Sequence, residues 1–328
     1  MTTDERPGDS TAILLAGHGS RREASNQHVR DVAERLSDRL DARVKPAFIE
    51  LEAPSLGEGI DDLAGAADHV TVVPFMLFAA GHVKNDVPLV VDQARERHPD
   101  LAVDYGSHLG VRPELVDLIA DRVADAAADL TADPETDDVA VAFCARGSSD
   151  PDANADAVKL ARLLYEGRSY ARVEPAFIGV TDPHVEDALE DLALRDPDAV
   201  IVVPYMLGDG VLNQRVRDWV ADFDAEHPGL ETATADVIGL DDRLIDVLAD
   251  RVREAWAGEV TMSCDTCQYK VTLAGFEDEV GGEKALREAL AHQAAHAEER
   301  GKGGGHGHEH DHSHDHGQSH DHGHDHEH

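Results

Sequence analysis

Cysteine is scarce in this chain, with only Cys144, Cys264 and Cys267 among 328 residues. Three thiols cannot staple a secreted scaffold, and two of them form a C-x-x-C, so a metal or redox use is expected. Long apolar runs are also missing. Nothing approaches the ~18–20 residues needed to cross a bilayer, and no apolar leader follows Met1, which leads to the expectation of a soluble, cytoplasmic protein without a membrane partner. Lysine occurs six times, and basic residues are outnumbered 29 to 67, for a formal charge of −38. A nucleic-acid binder needs a clustered basic surface, and none is visible. Aspartate spread over nearly every predicted helix reads as a solvated acidic face of the halophilic kind. At ~1 M salt the Debye length of ~3 Å would screen its self-repulsion.

What the chain does have is a repeat. Val44-Lys45-Pro46-Ala47-Phe48-Ile49 returns as Val173-Glu174-Pro175-Ala176-Phe177-Ile178, 129 positions on. Val72-Val73-Pro74-Phe75-Met76-Leu77 returns as Val202-Val203-Pro204-Tyr205-Met206-Leu207, and Ala120-Asp121-Arg122-Val123 as Ala249-Asp250-Arg251-Val252. Collinear matches at nearly one offset indicate a duplicated domain.

Each copy alternates short apolar strands with helix patterns. In the first copy, strands are expected at 12–16, 44–49, 70–74 and 101–104. Helices are expected at 23–40 (Val29, Val32, Leu36 and Leu40 on one stripe), 55–64, 83–96 and 113–128. Continuous apolar strands between helices imply an α/β fold with two tandem domains. Each would be a mainly parallel four-stranded sheet covered by helices on both faces. The expected boundaries are 1–130 and 138–257, joined by an Asp- and Pro-rich linker. A small segment, 258–300, would hold the C-x-x-C between strand-like pieces and then a helix over 282–300. Residues 301–328 interleave eleven histidines with Gly, Asp, Glu and Ser, a composition that cannot bury a core and reads as a disordered tail.

In open parallel sheets, ligands bind beyond the carboxyl ends of the strands. His18 follows the first strand of copy one, Glu50 the second, and His82 lies just beyond the third. The topology thus gathers two imidazoles and a carboxylate at one sheet edge, a donor set that suits a divalent first-row metal with open positions. A hydrogen-bonded loop histidine would account for either imidazole alone. The second copy argues otherwise: it keeps the scaffold but carries Arg146, Gly179 and Leu212 at the three matching positions.

Gly17-His18-Gly19-Ser20-Arg21, the Pro74-Phe75-Met76-Leu77 strand end and Gly81-His82-Val83-Lys84-Asn85-Asp86-Val87-Pro88 resemble the class II chelatases. The sirohydrochlorin-specific branch is most similar, its cobalt-inserting members before its iron-inserting ones. The resemblance spans about residues 10–257 and extends to long members carrying an M-x-C-x-x-C and a His-rich end. It implies insertion of Co²⁺ into a carboxylate-rich tetrapyrrole, sirohydrochlorin, with loss of two protons, in anaerobic-type cobalamin biosynthesis. Ferrochelation for sirohaem is the alternative on the same residues. A non-catalytic metal carrier is the alternative from another class. By resemblance His18 and His82 would be metal ligands, with His18 also accepting a pyrrole proton, and Glu50 would contact substrate or take a proton. The stretch Leu77, Phe78, Ala79, Ala80, Gly81 and His82 would line the macrocycle. Arg21, Arg22, Lys84 and, from the second copy, Arg146 are candidate partners for its carboxylates. The second copy would then form a lid or wall over the site.

Cys264 and Cys267 have metal-ligand spacing. The resemblance implies a 4Fe-4S cluster, which needs four thiolates and so a second chain, Cys144 or other ligands. Zinc or a redox dithiol are the alternatives. The chain is accordingly expected to be a monomer with an internal pseudo-dimer, or a homodimer if a cluster bridges two copies. The tail histidines, His306, His308, His310, His312, His314, His316, His320, His322, His324, His326 and His328, are candidates for holding and delivering metal. A tail of this kind raises local metal concentration without fixing a geometry. Truncation after Gly301 is therefore expected to leave insertion with saturating Co²⁺ unchanged and to slow it in chelator-buffered Co²⁺. Equal rates across the buffered series would remove the delivery role.

Overall fold

A computed structural model describes residues 6–8, 10–275, 287 and 290–295. The tail histidines lie outside the described residues. The first copy runs β1 (Thr11–Gly17), α1 (Glu23–Leu40), β2 (Arg43–Phe48), α2 (Leu56–Ala64), β3 (His69–Pro74), a π-helical turn (His82–Asp86), α3 (Val87–Arg97), β4 (Ala102–Tyr105) and α4 (Pro113–Ala127). The second runs β5 (Val139–Ala145), α5 (Pro151–Tyr165), β6 (Arg172–Phe177), α6 (Val185–Ala193), β7 (Ala199–Pro204), α7 (Val211–Glu226), β8 (Glu231–Thr234) and α8 (Asp242–Trp256). The two sheets are wholly parallel, ordered β2-β1-β3-β4 and β6-β5-β7-β8. The chain steps to one side of β1 and then to the other, so a crevice opens beyond the carboxyl end of the central strand.

Local chemistry sets these elements. Ser55 caps α2 reciprocally with Glu58, so two backbone N–H groups at the helix start are satisfied. Helix α1 buries Val29, Val32, Leu36 and Leu40, the stripe expected from its periodicity. The turn after β1 needs a glycine: Gly19 has φ +93°, and a Cβ there would lie 1.8 Å from the Glu50 carbonyl oxygen. Gly147 repeats the arrangement against Gly179.

The two tandem copies are present and exchange packing partners. Helix α4 packs on β7 and β8 of the second copy, whereas α8 packs on β3 and β4 of the first. Each copy's closing helix therefore covers the other copy's sheet. One hydrophobic core runs through the middle of the molecule, with Leu36, Leu118, Val123, Leu160, Leu248 and Val252 all in it. Separate cores lie on the outer faces, around Leu14 and Val72 in one copy and Ala142 and Val202 in the other. This exchange explains the repeated Ala-Asp-Arg-Val. Arg122 of α4 donates to the carbonyls of Val237 and Ile238, and Arg251 of α8 donates to that of Leu109, at 2.7 Å. Trp256 of α8 reaches back to the Thr71 hydroxyl in β3.

Two further expectations change. The helix expected to start at Val83 opens with a π-helical turn from His82, a feature often found at functional sites. The strand-like pieces around the C-x-x-C are absent among the described residues of 259–275, which hold one short 3-10 turn, Cys264–Thr266. Of the helix expected over 282–300, residues 287 and 290–295 are described and helical; the rest lies outside the described residues.

Because each closing helix serves the opposite sheet, the copies should unfold together. Arg251→Ala removes charge-assisted hydrogen bonds from a buried site, so a loss of about 2–3 kcal/mol in unfolding free energy is expected. Amide-exchange protection should fall by a similar amount in β1 and β5 alike. Loss confined to one sheet would contradict a shared core.

Candidate metal site

His18, Glu50 and His82 meet at the carboxyl edge of the first sheet. Backbone bonds bring the first two together: the N–H groups of Ile49 and Glu50 donate to the carbonyls of Gly17 and His18. His18 Nδ1 lies 3.1 Å from the Gly19 carbonyl and 3.2 Å from Glu50 Oε1. His82 Nδ1 lies 2.7 Å from Asp86 Oδ2. Both Nδ1 atoms face acceptors alone, so each carries the ring proton, and both Nε2 atoms present lone pairs. Those two Nε2 atoms face each other at 3.1 Å. Two lone pairs so opposed repel unless a cation or a proton sits between them. Two imidazoles bound at about 2.0–2.1 Å and about 90° to one metal would place their nitrogens about 2.9 Å apart, close to this separation.

The surroundings favour the neutral ligand form. Burial, with His82 alongside, pulls the His18 imidazole down to about 4 against the opposing pull of Glu50. Burial also works to raise the Asp86 carboxyl, but hydrogen bonds from His292 and His82 outweigh it and hold the group at about 2. Asp86 is therefore a carboxylate that fixes the tautomer and aim of His82, the usual partner of a metal-binding histidine.

The pair opens into a cleft of about 1070 Å³ between the two copies. Leu77, Phe78, Ala80 and Gly81 line it from one side, and Arg146, Val180, Met206 and Leu207 from the other. The carboxyl edges of both sheets therefore face one cavity, in line with a second copy acting as a wall.

A protein-family model for CbiX matches residues 12–126 and again 140–255. The chain belongs to the CbiX family. Sirohydrochlorin cobaltochelatase of Priestia megaterium is 36% identical over 265 residues, covering 80% of this chain and 85% of that one. Sirohydrochlorin ferrochelatase of Bacillus subtilis is 29% identical over 248 residues, covering 75% and 92%. Among solved structures, SirB from Bacillus subtilis with Fe³⁺ has a TM-score of 0.68 at 28% identity, covering 76% of this chain and 96% of that one. This CbiX protein has the class II chelatase fold, with both chelatase repeats in one chain, and is a metal chelatase.

Several expected site residues lie elsewhere in this chelatase. Lys84 is not offered to a substrate. It is buried beneath the site, donating to Asp150 at 2.8 Å and Asp152 at 3.0 Å. Burial opposes its charge, but those two hydrogen bonds win and raise its pKa. Its role is to tie the π-helical turn to the second copy. Arg21 is exposed outside the cleft, and its neighbour Arg22 lines it instead. Ala79 is buried and does not line the cleft. Glu50 sits behind His18 rather than in the cleft wall.

The residues that sequence reasoning missed are Asp86, His28, Tyr269 and His292, all in the lining. Asp86 had a local signal, four positions after His82, where two side chains share a helix face. The others are brought in by packing alone.

The cysteines do not fit a four-thiolate cluster within one chain. Cys144 is sealed in the outer core of the second copy at 0% exposure, with its thiol pushed up to about 12 by burial. Cys264 is exposed beside the Lys270 ammonium, 3.1 Å away, and Cys267 is buried.

Asp86→Asn keeps the shape of the residue but loses the carboxylate that orients His82. Metal affinity is expected to fall about 10–100-fold while the fold is retained. Co²⁺ titration with circular dichroism in parallel checks both halves, and unchanged affinity would show that Asp86 does not aim the ligand.

Proposed function

We propose that this chelatase inserts Co²⁺ into sirohydrochlorin, releasing two protons, as a step toward cobalamin. The observation that carries the reading is the pair of lone-pair nitrogens 3.1 Å apart at the edge of a cleft wide enough for a macrocycle. The 36% identity to a cobaltochelatase favours cobalt over iron. The 29% identity to a ferrochelatase supports the second reading, Fe²⁺ insertion on the same residues.

Neutral imidazoles bind a first-row divalent ion firmly but exchangeably. His18 and His82 would hold Co²⁺ through Nε2 while the macrocycle enters between the copies. Its apolar faces would lie against Phe78 and Leu207, and its carboxylates would meet Arg22 and Arg146. As pyrrole nitrogens replace the imidazoles on the metal, the two pyrrole N–H protons must leave. His18 Nε2, vacated by the metal, accepts one, and His82 Nε2, vacated in turn, accepts the other. The His18 imidazolium so formed is stabilised through Nδ1 by Glu50, which offsets part of the burial that lowers the proton affinity of this ring. A carboxylate behind a histidine supports general-base action in this way.

His18→Ala and His82→Ala are each expected to lower insertion by about 10²–10⁴-fold with the fold intact. Arg146→Ala should raise the KM for the tetrapyrrole about tenfold, since one charge-assisted contact is worth about 1.5–3 kcal/mol. An absorbance assay with sirohydrochlorin and Co²⁺, Fe²⁺ or Ni²⁺ in turn, in high salt, measures all three variants. Turnover near wild type in either histidine variant would reject that residue. Faster insertion of Fe²⁺ than Co²⁺ would favour the second reading.

A further inference from the structure

A second group of metal-capable side chains lies on the far side of His82. His292 comes from the C-terminal segment, beyond both stretches matched by the family model. Its Nδ1 lies 3.1 Å from Asp86 Oδ2, the same oxygen that stands 2.7 Å from His82 Nδ1. The rings of His82 and His292 are 5.2 Å apart. One ligand atom from each of His82, Asp86 and His292 falls within 4.8 Å of the others. Two nitrogens and a carboxylate oxygen again suit a first-row divalent cation. We propose that His82, Asp86 and His292 form a staging site that receives the divalent cation before it passes to His18 and His82. The proposal rests on the metal-insertion reading above and adds a second position for the same ion.

The chemistry of one imidazole makes the two positions exclusive. A neutral ring has one lone pair and one N–H. When the cation is bound to His82 Nδ1 beside Asp86 and His292, the ring proton must sit on Nε2. There it donates to the His18 Nε2 lone pair, 3.1 Å away, and satisfies an otherwise repulsive pair. When the cation crosses to the two Nε2 atoms, the proton returns to Nδ1 and donates to Asp86. The transfer moves one proton from Nε2 to Nδ1 of His82, with no net gain or loss. One ion at a time is held, and the waiting state is stabilised by the hydrogen bond it creates.

The location suits a handover. His292 lines the same cleft as His18 and His82, so the ion need not cross the protein interior. The chain carries its first tail histidine, His306, fourteen residues later. That length cannot separate the two by more than about 50 Å even when fully extended.

Anomalous diffraction from crystals of the full chain soaked with Co²⁺ alone tests the placement. Wild type should show two partial peaks, one by Asp86 and His292 and one between the Nε2 atoms, whose occupancies sum to no more than one ion. His18→Ala should keep the first peak only, and His292→Ala the second only. In buffered Co²⁺, His292→Ala should raise the apparent KM for the metal about tenfold, the low end of what losing a supporting group costs a metal site. The KM for the tetrapyrrole should not move. A peak between His18 and His82 with none by Asp86 and His292, in wild type and in His18→Ala, would overturn the staging site and leave the insertion reading standing. Two full peaks together would overturn the shared-lone-pair handover. No peak at either position would sink both readings.

Discussion

Two imidazole nitrogens are held face to face at 3.1 Å, and much of the surrounding structure serves to hold them there. Glu50 and the Gly19 carbonyl fix one ring from behind, and Asp86 fixes the other. Those groups are held by backbone in their turn: Glu50 by the ladder between the ends of β1 and β2, Asp86 by the π-helical turn it shares with His82. Below that turn, Lys84 is locked to Asp150 and Asp152 of the second copy.

The exchanged closing helices explain how one copy can lose its chemistry without being lost itself. The sheet of the first copy is covered by α8 of the second, and the sheet of the second by α4 of the first. The second copy thus remains half of the central core although Arg146, Gly179 and Leu212 replace the reactive groups. Its strand ends supply the opposite wall of the cleft, Arg146 included. The cleft is therefore asymmetric, with His18 and His82 on one side and none of their counterparts on the other.

A stretch outside the duplicated region completes the site. Tyr269 lies near Gly81, and His292 pairs with Asp86. The Thr261 carbonyl accepts from Ser107, and Thr266 donates to Asp152. The described parts of the segment after α8 therefore lie along the seam between the copies, with Tyr269 and His292 lining the cleft. The C-x-x-C belongs to the same segment, with one thiol exposed and one buried.

By itself the sequence determined the duplication, the order of strands and helices, and the placing of His18, Glu50 and His82 at strand ends. These follow from apolar periodicity and from the rule that parallel strands deliver their carboxyl ends to one edge. The repeated Arg122 and Arg251 were visible as a pattern, but their purpose was not, because helix exchange leaves no mark in local periodicity. Lys84 read as a partner for substrate carboxylates until packing buried it against Asp150 and Asp152, 66 and 68 positions away. His292 is one of 21 histidines and had nothing nearby in sequence to single it out. Which groups touch across the seam is decided by tertiary structure alone, because the free energy of such contacts depends on distances between segments that are remote in the chain.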